Sequence, residues 1–182
     1  MYILLVRLAW WLLLTTACTL ALQRQAWAQL PVAEHDLKAA YIFNFIQFVE
    51  WPADIPGETK EWSLCVSAFS PLLRSLSALE GRPLPNGQNI RTRFIDPSDV
   101  RECRMLVLQQ ADMERLSKLP HPVLGSLGIL TLSDDPLAIR TGVMISLSEQ
   151  GGRIVFDINT TAARKAGLKI SSRLLRLART VQ

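Results

Sequence analysis

The sequence has few of the residues that usually carry out chemistry in proteins. Its two histidines, His35 and His121, lie far apart, and no His-x-x-His or Cys-x-x-Cys spacing is present. We therefore predict no metal site and no cofactor. The G-x-S-x-G motif of the α/β hydrolases, the phosphate-binding loop and the dinucleotide fingerprint are also missing, which leaves those enzyme classes without support.

A hydrolase remains as an alternative only through Ser126, His121 and Asp134, whose spacing matches no known triad motif. Asp134 belongs to the stretch 133–136, Ser-Asp-Asp-Pro, which is typical of a turn. We expect turn chemistry from these two aspartates instead of paired acid–base catalysis. The sequence therefore predicts no catalytic residue.

The charge balance gives little support to a nucleic-acid partner. The whole chain has a formal net charge of +4. Arg7 and Arg24 lie in the N-terminal segment, and without them 18 basic residues face 16 acidic ones. Binding to DNA or RNA usually needs a strong basic excess on one face, so we predict no nucleic-acid binding.

Residues 1–28 have the pattern of a signal peptide. Arg7 is followed by an apolar stretch at 8–22, and Ala26-Trp27-Ala28 offers a small-x-small cleavage site after Ala28. The stretch of about 15 residues is short for a bilayer core of ~30 Å. An uncleaved anchor and lipid attachment at Cys18 are the alternatives. We predict export to the periplasm and one domain over residues 29–182.

Two cysteines, Cys65 and Cys103, remain after cleavage. An even number in an oxidising compartment indicates a single disulfide. Two buried free thiols are the alternative, and a reversible redox switch would require exposed sulfur atoms.

Apolar periodicity indicates strands and helices that alternate along the chain. The predicted helices are 35–50, 71–79 and 111–119, and the predicted strands are 62–68, 90–95, 105–109, 128–132, 143–147 and 153–158. Residues 148–152 form a glycine-bearing hairpin turn. We predict a single-domain α/β sandwich with a mostly parallel sheet, flanking helices and an antiparallel hairpin near the C-terminus.

The segment 152–178 has particularly clear local signals. Asn159 or Thr160 is placed to cap a helix, and Gly167 occupies a helix C-cap position. Ser171 or Ser172 is placed to cap a second helix, which we expect to carry an arginine at every third position.

Three groups of residues are candidates for contact with a partner, although core packing for the aromatic residues and a solvated basic stripe for the arginines are the default explanations. The first helix has more aromatic residues than one buried face needs. The segment 142–145 leads into the hairpin, whose outer edge we expect to be unpaired. The candidates are Phe43, Phe48, Trp51, Met144, Arg173, Arg176 and Arg179.

The segment 152–178 resembles the C-terminal signature of the YfiR/HmsC-like family of periplasmic regulators. Residues 37–52, from Leu37 to Pro52, resemble the N-terminal helix of that family and its exit. Further similar segments follow in the family's order at 64–66, 79–82, 103–107, 130–134 and 142–145. Residues 125–128 depart from the pattern and interrupt the path into the strand at Leu130.

The resemblance implies a non-catalytic periplasmic protein that binds and represses an inner-membrane diguanylate cyclase through its periplasmic domain, lowering cyclic di-GMP and biofilm formation. It also implies release by an OmpA-like outer-membrane lipoprotein, a homodimer, and a Cys65–Cys103 bridge that supports the fold. The alternative is a periplasmic small-molecule-binding sensor accessory protein. An aromatic and apolar pocket with a few polar groups would favour that alternative.

Overall fold

The computed structural model describes residues 33–52, 61–95, 100–116, 125 and 128–182. The predicted signal peptide, its cleavage site and the residues His121 and Ser126 lie outside these ranges. The helices are α1 Glu34–Ile46, α2 Leu73–Ser77, α3 Gln110–Leu116, α4 Thr160–Lys165 and α5 Ser172–Leu175, with 3₁₀ turns at Val100–Glu102 and Ala138–Thr141. The strands are β1 Val49–Glu50, β2 Glu61–Val66, β3 Asn89–Phe94, β4 Met105–Leu108, β5 Leu130–Ser133, β6 Ile145–Gln150, β7 Arg153–Ile158, β8 Lys169–Ile170 and β9 Thr180–Val181.

Seven of these strands form one sheet in the order β3-β2-β4-β5-β6-β7-β9. The five strands from β3 to β6 run parallel, whereas β7 pairs antiparallel with β6, and β9 runs parallel with β7. The remaining pair, β1 and β8, forms a separate antiparallel ladder. The predicted α/β fold, with its mostly parallel sheet and its hairpin, is confirmed.

The sheet is buried on both faces, as a parallel sheet requires. On β4, Met105 and Val107 belong to one apolar cluster, and Leu106 and Leu108 belong to another. The first cluster includes residues of α1, α2, α4 and α5, and the second includes residues of α3 and of both 3₁₀ turns. Strand side chains alternate between faces, so the two clusters are the two sides of one sandwich.

The disulfide predicted from the cysteine count is present. Cys65 on β2 and Cys103 before β4 are joined, with 5.7 Å between their Cα atoms. Both residues are buried, at 2% and 3% exposure, within the second apolar cluster. The bridge therefore connects the second strand to the entry of its neighbour, and the alternative of two free thiols is wrong.

The first helix is shorter than predicted. α1 ends at Ile46 instead of residue 50, and its last turn is tightened by bonds from the Gln47 and Phe48 amides to Asn44 and Phe45. Val49 and Glu50 then extend into β1, where they pair with Ile170 and Lys169. Apolar side chains at 48 and 49 continued the helical pattern, but pairing with a segment 120 residues away overrides it.

The hairpin turn is also tighter than predicted. β6 extends to Gln150, which pairs with Arg153, so only Gly151 and Gly152 form the turn. Both have positive φ, at 59° and 77°. Positive φ at both positions is characteristic of the type I′ turn, whose twist matches that of the two strands it joins. Glycine adopts this backbone conformation without a steric cost.

Candidate functional site

The β1–β8 ladder brings together residues from the two ends of the domain. The amide of Ser171 donates to the carbonyl of Phe48 at 2.9 Å, which extends the ladder by one hydrogen bond. Glu50 and Lys169 are exposed neighbours of opposite charge across the ladder. The ladder therefore places the exit of α1 beside α5, and with it several of the residues predicted to contact a partner.

The three aromatic candidates on the first segment are all half-buried. Phe43, Phe48 and Trp51 pack against the main apolar cluster and leave part of their surface accessible. The guanidinium of Arg82 lies 4.0 Å from the centre of the Phe43 ring, so an intramolecular cation covers that ring. Trp51 donates from Nε1 to the carbonyl of Arg104 at 3.4 Å. Phe48 and Trp51 are thus the aromatic candidates that lie at the ladder.

Met144 does not lie on an exposed edge, which contradicts its prediction as an exposed contact residue. Its exposure is 0%, and its amide donates to Thr131. The reason is the position of β6, which lies between β5 and β7 instead of at the border of the sheet. On the outer side of β7, β9 pairs with Asp157 and Ile158, and the flanking amides of Arg179 and Gln182 donate to Phe156 and Ile158.

The three arginines do not form one helical stripe. α5 ends at Leu175 after a single turn that Ser171 caps through its hydroxyl. Arg173 and Arg176 are exposed. Arg179 follows the helix and instead forms an ion pair with Asp157 on β7. Of the three predicted arginines, Arg173 and Arg176 are therefore the exposed cations on or next to α5, beside the ladder.

Asp157 and Arg179 connect the C-terminal segment to the sheet. The side chain of Asp157 is 7% exposed and accepts hydrogen bonds from both Nε and Nη2 of Arg179. The bonds from Arg179 lower the pKa of Asp157 below its ordinary value of 3.8, although burial acts in the opposite direction. A carboxyl group whose pKa is lower in the folded protein than in the unfolded chain stabilises the fold at pH values above its pKa in the unfolded chain. This stabilisation is lost as the pH falls through the pKa of the folded protein.

We therefore expect Asp157→Asn to lower the free energy of unfolding at pH 7 by about 1–2 kcal/mol, since Arg179 is partly solvated. The difference from the wild type should begin to shrink near pH 3.8, where the carboxyl of the unfolded chain takes up a proton, and should shrink further as the pH falls through the lowered pKa of the folded carboxyl. Urea unfolding of the variant and the wild type between pH 7 and pH 3 measures this difference in the free energy of unfolding. Glu50→Gln, an exposed carboxyl change, should have little effect at any pH. A difference that stays constant with pH would contradict the assignment.

A cluster of polar side chains lies at the carboxyl ends of the parallel strands. Between β2 and β4 the direction of the strand order reverses. The chain continues from β2 to β3 on one side of this point and from β4 to β5 on the other. In open α/β sheets this switch point commonly carries a ligand site. Here the Gln109 amide nitrogen donates to Asp134 at 2.9 Å and to Ser70 at 3.2 Å. Asp112 accepts from Ser67 at 3.0 Å.

Lys38 connects α1 to this cluster. It is 5% exposed and lies 2.7 Å from Glu34 and 3.9 Å from Asp134. The hydrogen bond from Lys38 lowers the pKa of Glu34. Because these polar groups bond one another, the cluster tethers the first helix to the ends of three strands. No local sequence pattern indicates this cluster, since its members run from Glu34 to Asp134 in the chain.

Asp135 has the turn role that the sequence indicates, whereas the Asp134 carboxylate belongs to the polar cluster with Gln109 and Lys38. The Asp135 amide donates to Ser133, and the Asp135 carboxylate accepts from the Leu137 amide. In the described part of the chain, no group of three or more His, Cys, Asp or Glu residues could hold a metal ion. None of the helices in the described ranges has the length and apolar character that crossing a membrane requires.

Comparison with known proteins identifies the family. The sequence profile described as YfiR/HmsC-like matches residues 35–179. No curated protein matches the chain at a significant level. A solved structure of a conserved domain protein from Vibrio cholerae O1 biovar El Tor strain N16961 is 12% identical, with a TM-score of 0.49. The alignment covers 83% of this chain and 61% of that one, so this chain spans about three fifths of that protein.

Proposed function

Because this chain belongs to the YfiR/HmsC-like family, whose members are non-catalytic periplasmic regulators, we propose that it represses an inner-membrane diguanylate cyclase. The single observation that carries the proposal is the family match, which spans residues 35–179. In this proposal the protein is exported, acts without catalysis and binds the periplasmic domain of the cyclase. Cyclic di-GMP and biofilm formation then stay low.

The surface that we assign to the cyclase is the β1–β8 ladder with its flanks. Phe48 and Trp51 supply half-buried aromatic area, and Arg173 and Arg176 supply exposed positive charge beside it. Aromatic residues and arginine are the types most enriched among the residues that dominate binding energy in interfaces. An acidic, partly apolar patch on the cyclase domain would complement this surface.

Repression needs only differential binding. A regulator that binds the inactive form of the cyclase more tightly than the active form shifts the population towards the inactive form by that difference in affinity. A coupling of about 1–3 kcal/mol corresponds to a change in affinity of about 5- to 150-fold. The proposal includes an OmpA-like outer-membrane lipoprotein that competes for the regulator, and a homodimer as its working form.

Deleting the gene should raise cellular cyclic di-GMP, and restoring the wild type should reverse the rise. The purified regulator should bind the isolated periplasmic domain of the cyclase in calorimetry. A Phe48→Ala, Arg173→Ala double variant should weaken that binding at least tenfold, because it removes an aromatic anchor and a cation from the same surface.

Matched controls come from exposed residues elsewhere in the chain. Phe69, which is 81% exposed and follows β2, and Arg140, which is exposed on the second 3₁₀ turn, provide a Phe69→Ala, Arg140→Ala variant. This control should bind the cyclase domain as the wild type does. Unchanged cyclic di-GMP after deletion would contradict cyclase control, whereas equal weakening by both double variants would contradict only the assigned surface.

A further inference from the structure

The charges of the predicted mature chain are divided unevenly along the sequence. Residues 153–182 contain seven lysines and arginines and a single acidic residue, Asp157, so their net charge is +6. Residues 29–152 contain 11 basic and 15 acidic residues, so their net charge is −4. Charge asymmetry of this kind between parts of a chain is typical of proteins that bind nucleic acids or membranes. The periplasmic location of the family favours a membrane.

Five of the seven cations lie on the exposed side of one segment, residues 164–176. The segment contains the end of α4, together with β8 and α5. Its apolar side chains Ala166, Leu168 and Leu174 are buried in the main apolar cluster, which attaches the segment to the sandwich. Because that side of the segment is packed, its charged side chains lie on the other side and are exposed. We call these charged residues the basic face, which consists of Arg164, Lys165, Lys169, Arg173 and Arg176.

The basic face forms no ion pair within the described part of the chain. The ion pairs found there use other cations, namely Lys38, Arg91, Arg93 and Arg179. Glu50 lies opposite Lys169 across the ladder but forms no ion pair with it. Arg164 donates to the hydroxyl of Thr161, which is neutral. The positive charge of the face is therefore available to an external anion.

The arrangement of these charges fits an extended surface. The five cations are distributed over three secondary-structure elements, and Leu177, which follows Arg176, is 69% exposed. Cations beside exposed apolar side chains are typical of surfaces that lie on lipid headgroups and reach the acyl boundary. A group of about four to eight lysines and arginines binds anionic lipids, with a gain in affinity of about fivefold for each residue. Lipid headgroups are mobile and adapt to any spacing of the cations, whereas an acidic protein surface needs a matching pattern of carboxylates.

We propose that the basic face docks on the anionic lipid headgroups of a membrane surface. The proposal goes beyond the regulatory function, which assigns Arg173 and Arg176 to a protein partner and leaves Arg164, Lys165 and Lys169 without a role. Docking would hold the regulator at the surface in which an inner-membrane target lies. The test uses vesicles without any protein partner, so failure of lipid binding would leave the cyclase proposal untouched, and the reverse also holds.

Sedimentation with sucrose-loaded vesicles measures the binding. The vesicles contain phosphatidylcholine alone or an equal mixture of phosphatidylcholine and phosphatidylglycerol. Mass spectrometry first confirms that the purified protein lacks residues 1–28, because the apolar stretch at 8–22 would itself enter a bilayer. We expect the anionic vesicles to bind the protein about tenfold or more tightly than the neutral ones. Binding should weaken as salt rises from about 0.1 M to about 1 M, which shortens the Debye length from about 10 Å to about 3 Å.

A triple variant tests the assigned face. Arg164→Gln, Lys165→Gln, Lys169→Gln leaves Phe48 and Arg173 of the surface assigned to the cyclase in place. It should weaken binding to the anionic vesicles about 100-fold, since three cations are lost at about fivefold each. Exposed substitutions of this kind seldom disturb folding, and circular dichroism checks it. Lys169→Glu is the second variant if the triple variant does not fold, and this charge reversal should weaken binding about tenfold.

The matched control removes the same number of charges elsewhere. Arg74→Gln, Arg115→Gln, Arg140→Gln changes exposed arginines on α2, α3 and the second 3₁₀ turn. Both triple variants have the same net charge, so a difference between them reports the position of the charges. The control should bind the anionic vesicles nearly as well as the wild type does, because contacts beyond a Debye length are screened.

Three results would overturn the proposal. The first is equal binding to neutral and anionic vesicles, and the second is equal weakening by the two triple variants. The third is absence of binding to anionic vesicles even at about 0.01 M salt, where screening is weakest. If the triple variant then lost affinity for the isolated cyclase domain, the basic face would belong to an acidic protein surface instead of a membrane.

Discussion

Replacing Cys65 and Cys103 together by alanine is expected to lower the free energy of unfolding by about 4 kcal/mol. The disulfide closes a loop over a sequence separation of 38 residues, which includes α2 and the edge strand β3. In the chain-entropy description, a cross-link of this length restricts the unfolded chain by about that amount. Domains of this size are stable by only about 5–15 kcal/mol, so the loss would remove a large part of the total.

Urea unfolding followed by circular dichroism measures the loss, and reduced wild-type protein is its matched control. Reduced wild type and the alanine double variant should unfold at similar urea concentrations. Because the two cysteines are 2% and 3% exposed, reductant should open the bridge in native protein only as fast as the structure opens. A double variant within about 1 kcal/mol of the wild type would contradict the structural role. Fast reduction of folded protein would instead indicate a redox switch.

Phe45→Ala should cost about 3–5 kcal/mol, as buried phenylalanine truncations usually do. Phe45 is 1% exposed and lies edge-on to Phe156, with ring centres 5.0 Å apart, and to Tyr41 at 6.3 Å. It therefore connects α1 to β7 in the centre of the main apolar cluster. Its loss leaves a cavity that well-packed neighbours fill only in part. Urea unfolding measures the cost.

Phe43→Ala is the matched control, because the same residue type lies two positions earlier on the same helix. Phe43 is half-buried and its main specific contact is the Arg82 guanidinium, so the expected cost is about 1–2 kcal/mol. Phe45→Ala should also reduce repression of the cyclase, because α1 leads directly into the ladder residues Phe48 and Val49. Equal costs for the two truncations would mean that α1 is not docked through Phe45.

Local sequence signals predicted most of the elements. Asn159 caps α4 by accepting from the Ala162 amide, Ser171 caps α5, and Gly167 follows α4 with a φ of 73°. Each of these signals depends on residues within one turn of the chain, and so it can be read without knowledge of the fold. The four-residue strand β4 was equally clear because all of its side chains are apolar and buried.

The misplaced predictions share another cause. β1, β8 and β9 are strands of two residues each, too short to produce a periodic pattern. The end of α1 and the pairing of Arg179 with Asp157 follow from where those short strands pair, whereas Met144 is buried because β6 lies inside the sheet.

The sequence by itself determined the alternation of helices and strands, the helix caps, the single disulfide and the family. Those features depend on neighbouring residues or on a count of cysteines. The tertiary structure alone decided which predicted contact residues reach the surface: Phe48, Trp51, Arg173 and Arg176 lie at or beside the ladder, and Met144 is buried. The reason is that a side chain's exposure depends on every element packed around it, and pairing between distant segments leaves no local trace.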